Sequence, residues 1–252
     1  MGLGKVLIAF SGGVDSTFLL SQAQKGLGQE NVLAVIAESP TYPSDEVAWA
    51  KKLCEVLRVK YMLIQTDEFS DENFVANPKE RCYYCKKELF SKLRKIAAKN
   101  KIPHVLDGSN YDDRSDYRPG TRAKNELGVK SPLQELGFTK QNIRDFSKEL
   151  DLPTWDKPSY ACLASRIPYG TRITPDILAR VEEGEKYLRS LGFKQLRVRH
   201  HGPIVRIELE NRNLATELMD EIAKKFEKLG YTYVTLDLKG YRTGSMNETL
   251  SG

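Results

Sequence analysis

"AFSGGVDSTFLL", residues 9–20, decides the fold. It joins an apolar stretch, "KVLIAF" at 5–10, to a helical pattern that begins at Ser16, through a turn with two consecutive glycines. Glycine reaches positive φ without a Cβ clash and lets other backbone come close. A buried strand that ends in such a turn and runs at once into a helix aims successive N–H groups, and the positive end of the helix, at one point. That point suits a phosphate. The turn is not a Walker A loop, because the GK[ST] ending and its lysine are missing.

Working outward, "NVLAVIA" (31–37), "YMLIQ" (61–65) and "HVLD" (104–107) read as further buried strands. Helical patterns lie between them: Ser16 to about Lys25, Ser44 to Leu57, and Lys86 to Lys99. This alternation predicts an α/β domain on a mainly parallel sheet. Ser44 is the expected N-cap of the second helix, ahead of Asp45 and Glu46. A Pro- and Gly-punctuated stretch from Leu152 to Gly170 breaks the rhythm. Beyond it Thr174 caps a helix that opens with Pro175 and stops at Gly192; "QLRVRH", "IVRIELE", a helix to about Leu229 and "YTYVTLDL" follow. The expected division is one domain over 1–170 and a small α+β domain over 171–252.

The composition fits an ordinary globular protein, with 252 residues of which 40% are hydrophobic and 29% charged. The apolar run "VLIAF" is too short to cross a bilayer and has no charged leader with a cleavage site, so the expected compartment is the cytoplasm and no membrane partner is expected. The net charge of +5, from 39 basic and 34 acidic residues, contains no long basic tract. It suits a phosphate-bearing ligand as well as RNA, and gives no reason to favour nucleic acid. Four cysteines are too few for a disulfide scaffold.

The cysteines differ in setting. Cys54 lies on the apolar face of "SDEVAWAKKLCEVL" and reads as a small core residue. Cys82 and Cys85 form the CxxC of "RCYYCKK", and Cys162 lies in the irregular segment "KPSYACLASRIPYG". Three thiolates are one short of a closed zinc site, and His104, His200 and His201 show no ligand spacing that supplies a fourth. A [4Fe-4S] cluster on three cysteines would leave one iron open, but reactive or idle thiols fit the same spacing.

The loop SGGxDS resembles the PP-loop of ATP pyrophosphatases. By that resemblance Ser11, Gly12, Gly13 and Ser16 bind the phosphates of ATP, while Asp15 holds Mg²⁺ or orients the loop. Together with "CYYCKK", "VLDGSNYDDRSDYRPG", "SRIPYGT", "EKYLRSLGF", "LRVRH", "RIELE" and "YVTLDLKGYRTGSMNETL", it resembles the LarE family over nearly the whole chain. These are ATP-dependent sulfur transferases that build the nickel-pincer nucleotide cofactor of lactate racemase. The resemblance implies an adenine nucleotide alpha hydrolase-like domain. It also implies a reaction in which each carboxylate of pyridinium-3,5-biscarboxylic acid mononucleotide is adenylated, releasing pyrophosphate, before sulfur replaces AMP.

Some members give up the sulfur of a single cysteine and are left with dehydroalanine. That cysteine falls in the segment matching "SYACLASR" but in register with Ala161 rather than Cys162. This chain instead resembles the three-cysteine members, which implies Cys82, Cys85 and Cys162 as ligands of a [4Fe-4S] cluster with an exchangeable sulfide, the sulfide donor being open. Lys86 is the matching candidate for assisting sulfur transfer. Arg197 and Arg199, two apart on a strand, share one face while Leu196 and Val198 face the core. With Ser165 they are implied to hold the substrate's 5′-phosphate; on pattern alone they would be solvated arginines. Arg118 and Arg122 are weaker candidates for the nucleotide, and Tyr83 and Tyr84 either stack on a ring or pack. A homo-oligomer, with a hexamer built from trimers as the expected form, also follows from the resemblance. A tRNA thiolase lacks its RNA-binding face here, an ammonia-using amide synthetase leaves the cysteines unexplained, and a non-catalytic nucleotide or iron-sulfur sensor would release no pyrophosphate.

Overall fold

Strand β1 (Val6–Ala9) is the axis of the first sheet in the computed structural model, which describes residues 4–114, 119–158, 160–211, 213, 217–242 and 245–246. It pairs in parallel with β2 (Val32–Glu38) on one edge and β4 (His104–Leu106) on the other, and β3 (Lys60–Gln65) adds outside β2. Central parallel strands are covered on both faces, so an unbroken apolar run is what they need. Successive side chains then divide between two cores. Val6 and Ile8 join Ala34 and Ile36 against Phe18 and Leu20 of α1 (Val14–Leu27) and Leu53 and Cys54 of α2 (Ser44–Val56). Leu7 joins Val35 and Val105 on the other side, against Leu89, Phe90 and Leu93 of α4 (Arg81–Lys99). The first unit, Met1–Phe74 with Lys79–Tyr160, is thus a three-layer α/β/α domain.

Shorter helices complete the first part of the chain: α3 (Glu72–Val75), α5 (Gly120–Glu126) and α6 (Pro132–Glu135). Helix α7 (Lys140–Glu149) opens with a capping box between Thr139 and Asn142. Its Phe146 stacks on Phe18 of α1, with ring centroids 6.3 Å apart and planes 17° from parallel.

Three local expectations need correction. The stretch "YMLIQ" is a strand but not a buried one: among the described residues β3 pairs only with β2, and Tyr61, Met62 and Leu63 stay 37–40% exposed. Ser44 is inside its helix rather than capping it, because the Pro43 carbonyl already accepts from the amides of Glu46 and Val47. Helix α4 starts at Arg81 instead of Lys86, so both cysteines of the CxxC lie in its first turns.

The second unit, Val75–Pro78 with Ala161–Gly252, contains a sheet of order β5-β6-β7. Strands β5 (Leu196–His201) and β6 (Ile204–Leu209) form an antiparallel hairpin, and β7 (Tyr233–Leu236) runs parallel to β6. Helix α8 (Pro175–Ser190) has Thr174 as N-cap, its hydroxyl accepting from the Ile177 amide at 3.2 Å, and Pro175 at its start. Gly192, at φ +96°, lies just past its end. Segment 75–78 belongs here because Asn77 donates to the carbonyls of Pro168 (2.7 Å) and Thr171 (2.9 Å), while the Val75 carbonyl accepts from the Ile173 amide.

Helix α9 (Met219–Lys228) meets α8 at Gly184, where a Cβ would lie 2.6 Å from a ring carbon of the fully buried Phe226. Alanine favours a helix by about 1 kcal/mol over glycine, whereas overpacking costs about 1–3 kcal/mol. Gly184→Ala is therefore expected to lower the melting temperature, and Phe226→Leu added to it should recover part of the loss. A Gly184→Ala protein as stable as the parent would show that the contact is slack.

Candidate active site

The chain runs β1, β2, β3 along one side and then crosses to β4 on the other side of β1. Ligands of open parallel sheets bind at such a reversal, outside the carboxyl ends of the strands. Two loops emerge there. The first is Phe10–Gly13, whose Gly12 has φ +70° and comes so close to α2 that a Cβ would lie 3.0 Å from both Cα and Cβ of Ala50. The second is Asp107–Asn110 after β4, where a Cβ on Gly108 would lie 2.9 Å from the Ser16 amide nitrogen. Each glycine thus stands where a larger residue would hold the backbones apart.

At the start of α1 the hydroxyls of Ser11 and Ser16 are 3.1 Å apart. The Gly13 amide points at the Ser11 hydroxyl (3.4 Å), and the Ser16 hydroxyl donates to the Gly13 carbonyl (3.2 Å). These hydroxyls and the unsatisfied amides of the first helical turn form a cradle for an anion. The carboxylate of Asp15 is paired with Lys140 and accepts from the Asn110 side chain at 3.3 Å. Behind the loop, Lys157 donates to the Gly12 carbonyl (3.2 Å) and to Glu46 (2.7 Å). Burial pushes the Lys157 pKa down and Glu46 opposes the shift.

Helix α4 presents the CxxC. Cys82 and Cys85 are three residues apart, so they share one side of the helix, and both are half-buried and outside any disulfide. Lys86 is exposed and runs past Gly120, where a Cβ would lie 2.9 Å from its Cγ; its ammonium is 5.5 Å from the centre of the Phe90 ring. Tyr83 packs: it is buried, donates to Glu126 at 2.8 Å and is covered by the Arg122 guanidinium 3.7 Å from its ring centre. Tyr84 meets it edge-on. Arg118 lies outside the described residues. Cys54 is a core residue, its thiol pushed up to about 12 by burial and by Glu55.

Cys162 belongs to the second unit, at the head of a 3₁₀ turn, Leu163–Arg166. Two or three thiols are the soft donors that iron-sulfur clusters use. Among the described residues no group of three or more His, Cys, Asp and Glu side chains stands together as a metal site.

The same turn carries a buried layer of arginines. Arg166, fully buried, makes a fork to Glu185 (2.8 and 3.1 Å) and also donates to the Ala161 and Cys162 carbonyls and the Ser165 hydroxyl. Arg199 makes a second fork, to Glu208 (3.1 and 2.8 Å), and donates to the Ser165 carbonyl (3.1 Å) and Ser245 (2.8 Å). Arg197 donates to Leu196 (2.7 Å) and Tyr241 (3.3 Å). The bland expectation of a solvated strand face does not hold, because both arginines of β5 are buried. Burial, and then the neighbouring Arg166, lower the Arg197 pKa. Burial alone would raise the Glu185 pKa, yet Arg166, Arg197 and Arg189 hold it below the usual carboxylate range. Among the described residues the guanidiniums of Arg166, Arg197 and Arg199 and the carboxylates of Glu185 and Glu208 are all buried, and forked donors of this kind suit an anionic ligand.

Sequence reading missed Lys140, Asn110, Lys157, Glu46, Arg166, Glu185 and Glu208. A glycine directly after a strand, as in "VLDGSN", was the available signal for the second loop. Nothing local could pair Lys140 with Asp15, 125 residues away.

A family model described as NAD synthase matches residues 1–100. A pyridinium-3,5-bisthiocarboxylic acid mononucleotide synthase from Lactiplantibacillus plantarum is 43% identical over 251 residues, covering 99% of this chain and 91% of that protein. An uncharacterized protein of Synechocystis is 43% identical over 253 residues, covering 99% and 94%. An NH(3)-dependent NAD(+) synthetase of Thermococcus kodakarensis is 29% identical over 159 residues, covering 60% of this chain and 59% of its own.

The close packing of Gly108 on Ser16 makes a direct check of the crevice. Gly108→Ala must push the β4 loop off the start of α1 and is expected to weaken ATP binding about tenfold in an equilibrium titration, the equivalent of a modest overpacking strain. An unchanged affinity would place the nucleotide elsewhere.

Proposed function

The chain belongs to the family of the pyridinium-3,5-bisthiocarboxylic acid mononucleotide synthase, and from this premise we propose that it adenylates the carboxylates of pyridinium-3,5-biscarboxylic acid mononucleotide and replaces AMP by sulfur. It is an ATP-using enzyme of the PP-loop kind. The observation that carries the reading is the near-complete overlap with that synthase, in a chain whose glycine loop opens at the reversal of the sheet. The ammonia-using synthetase matches only 60% of this chain, and the NAD synthase family model ends at residue 100, ahead of the arginine layer of the second unit.

In this reading the β- and γ-phosphates lie on the amides of Gly12 and Gly13 and the hydroxyls of Ser11 and Ser16. A substrate carboxylate oxygen attacks the α-phosphorus, the bond to pyrophosphate breaks, and the loop stabilises the charge of the leaving group. The carboxylate, which could only expel oxide, becomes an acyl adenylate able to expel AMP. A sulfur nucleophile adds at the carbonyl carbon and AMP leaves, giving a thiocarboxylate. Mg²⁺ accompanying ATP would be held by Asp15, a hard oxygen donor, with Lys140 giving way. The 5′-phosphate of the mononucleotide is assigned to Ser165, Arg197 and Arg199, where it supplies the anion that the buried guanidiniums favour. Lys86 is assigned to assist sulfur transfer as an exposed cation one residue from Cys85.

Cys82, Cys85 and Cys162 are assigned as the thiolates that hold a [4Fe-4S] cluster. Bound by three cysteines, such a cluster has one iron open to an exchangeable sulfide.

Two experiments test the reading. Asp15→Asn or Ser16→Ala should cut substrate-dependent pyrophosphate release about a hundredfold, the usual scale for removing one preorganised group at a developing charge. Release of ADP and phosphate by the parent protein would refute the loop assignment. Separately, Cys82→Ala, Cys85→Ala and Cys162→Ala should each abolish iron-sulfur absorbance and thiocarboxylate product after anaerobic reconstitution while adenylation persists. Cys54→Ala should keep all three. A parent protein that binds no iron, or loses one cysteine sulfur per product, would overturn the cluster.

A further inference from the structure

Lys157 has no part in the reaction outlined above, yet it reaches the back of the phosphate loop. Its ammonium donates to the Gly12 carbonyl at 3.2 Å and is anchored by Glu46 of α2 at 2.7 Å. It lies 5.4 Å from the centre of the Trp49 ring and 5.9 Å from that of Tyr160, in a cleft of about 410 Å³ that these residues line. Its side chain is only 14% exposed. A lysine is seldom so enclosed unless it is paired.

The bond to Gly12 has a stereochemical result. The Gly12 carbonyl and the Gly13 N–H belong to one peptide unit, which is planar and trans, so the two bonds point in opposite directions. A carbonyl drawn outward to Lys157 turns the Gly13 N–H inward, toward the Ser11 hydroxyl and its neighbour Ser16. Two glycines in sequence are the place where such a peptide flips most cheaply, because neither has a Cβ to choose one orientation. With the plane reversed, the loop would offer a carbonyl oxygen to the phosphate instead of an amide.

We propose that Lys157 is a positioning residue for the phosphate loop, locking the Gly12–Gly13 peptide with its N–H toward the pyrophosphate end of ATP. The proposal rests on the reading that this loop binds that group. Glu46 holds the ammonium in place, and Ala50, one turn further along α2, closes the space beside Gly12. One helix thus supports the loop at two points.

The test uses inorganic pyrophosphate as the probe and the full chain labelled with ¹⁵N-glycine. Lys157→Met keeps the apolar stem beneath Trp49 and Tyr160 and removes the ammonium; Lys157→Arg keeps a donor. The parent and Lys157→Arg should bind pyrophosphate with a shift of the Gly13 amide resonance, identified by its loss in Gly13→Ala. Lys157→Met should bind about tenfold more weakly, with that shift abolished. Lys157→Met/Glu46→Gln should be as weak as Lys157→Met. If the double variant regains affinity, the loss came from the exposed negative charge of Glu46 and the proposal fails. Equal binding and an equal Gly13 shift in Lys157→Met also overturn it. A parent protein that does not bind pyrophosphate would refute the loop assignment together with the proposal, whereas parental binding unaffected by Lys157→Met refutes the proposal alone.

Discussion

The first unit depends on backbone meeting backbone without side chains between. Gly108 against Ser16 brings the end of β4 closer to the start of α1 than a Cβ would permit, and Gly12 leaves only 3.0 Å for a Cβ beside Ala50 of α2. The contact fixes where the start of α1 lies relative to the sheet, and with it the direction of the amides that the first turn leaves open. Everything polar around the loop is secondary to that approach. Lys140 and Asn110 reach Asp15 because the β4 loop is near, and Lys157 reaches the Gly12 carbonyl because α2 is.

The second unit follows a different principle, a polar core. Arg166 and Glu185, and Arg199 and Glu208, are forked ion pairs withdrawn from water, with Ser165 and Ser245 satisfying further donors. Such pairs add little net stability, but losing one partner costs about 3–5 kcal/mol because a charge is then buried alone.

How much of this the sequence disclosed depended on the range of the interaction. The glycine turn between "KVLIAF" and Ser16 carried its own reading, since strand, loop and helix are adjacent in the chain. Thr174 and Pro175 did so for α8. The strand "YMLIQ" misled because an apolar run states that a strand exists, while its place at the edge is settled by partners elsewhere. The shared face of Arg197 and Arg199 was legible from a period of two, but not that the face is closed over by Glu208, Glu185 and Tyr241. The family motifs point to the loop, the cysteines and the arginines as candidates, and pass over the groups that hold them in position.

Cys54 illustrates how a residue outside the chemistry can still report on it. Only the thiolate reacts with alkylating agents and oxidants, and a thiol whose pKa stands at about 12 is almost never in that form at neutral pH. It sits on α2, the helix that also carries Glu46, Trp49 and Ala50 behind the loop. Labelling of Cys54 therefore requires α2 to part from the sheet, and its rate measures the free energy of that opening rather than the reactivity of the thiol. The chain carries a built-in clock for the persistence of its own phosphate cradle.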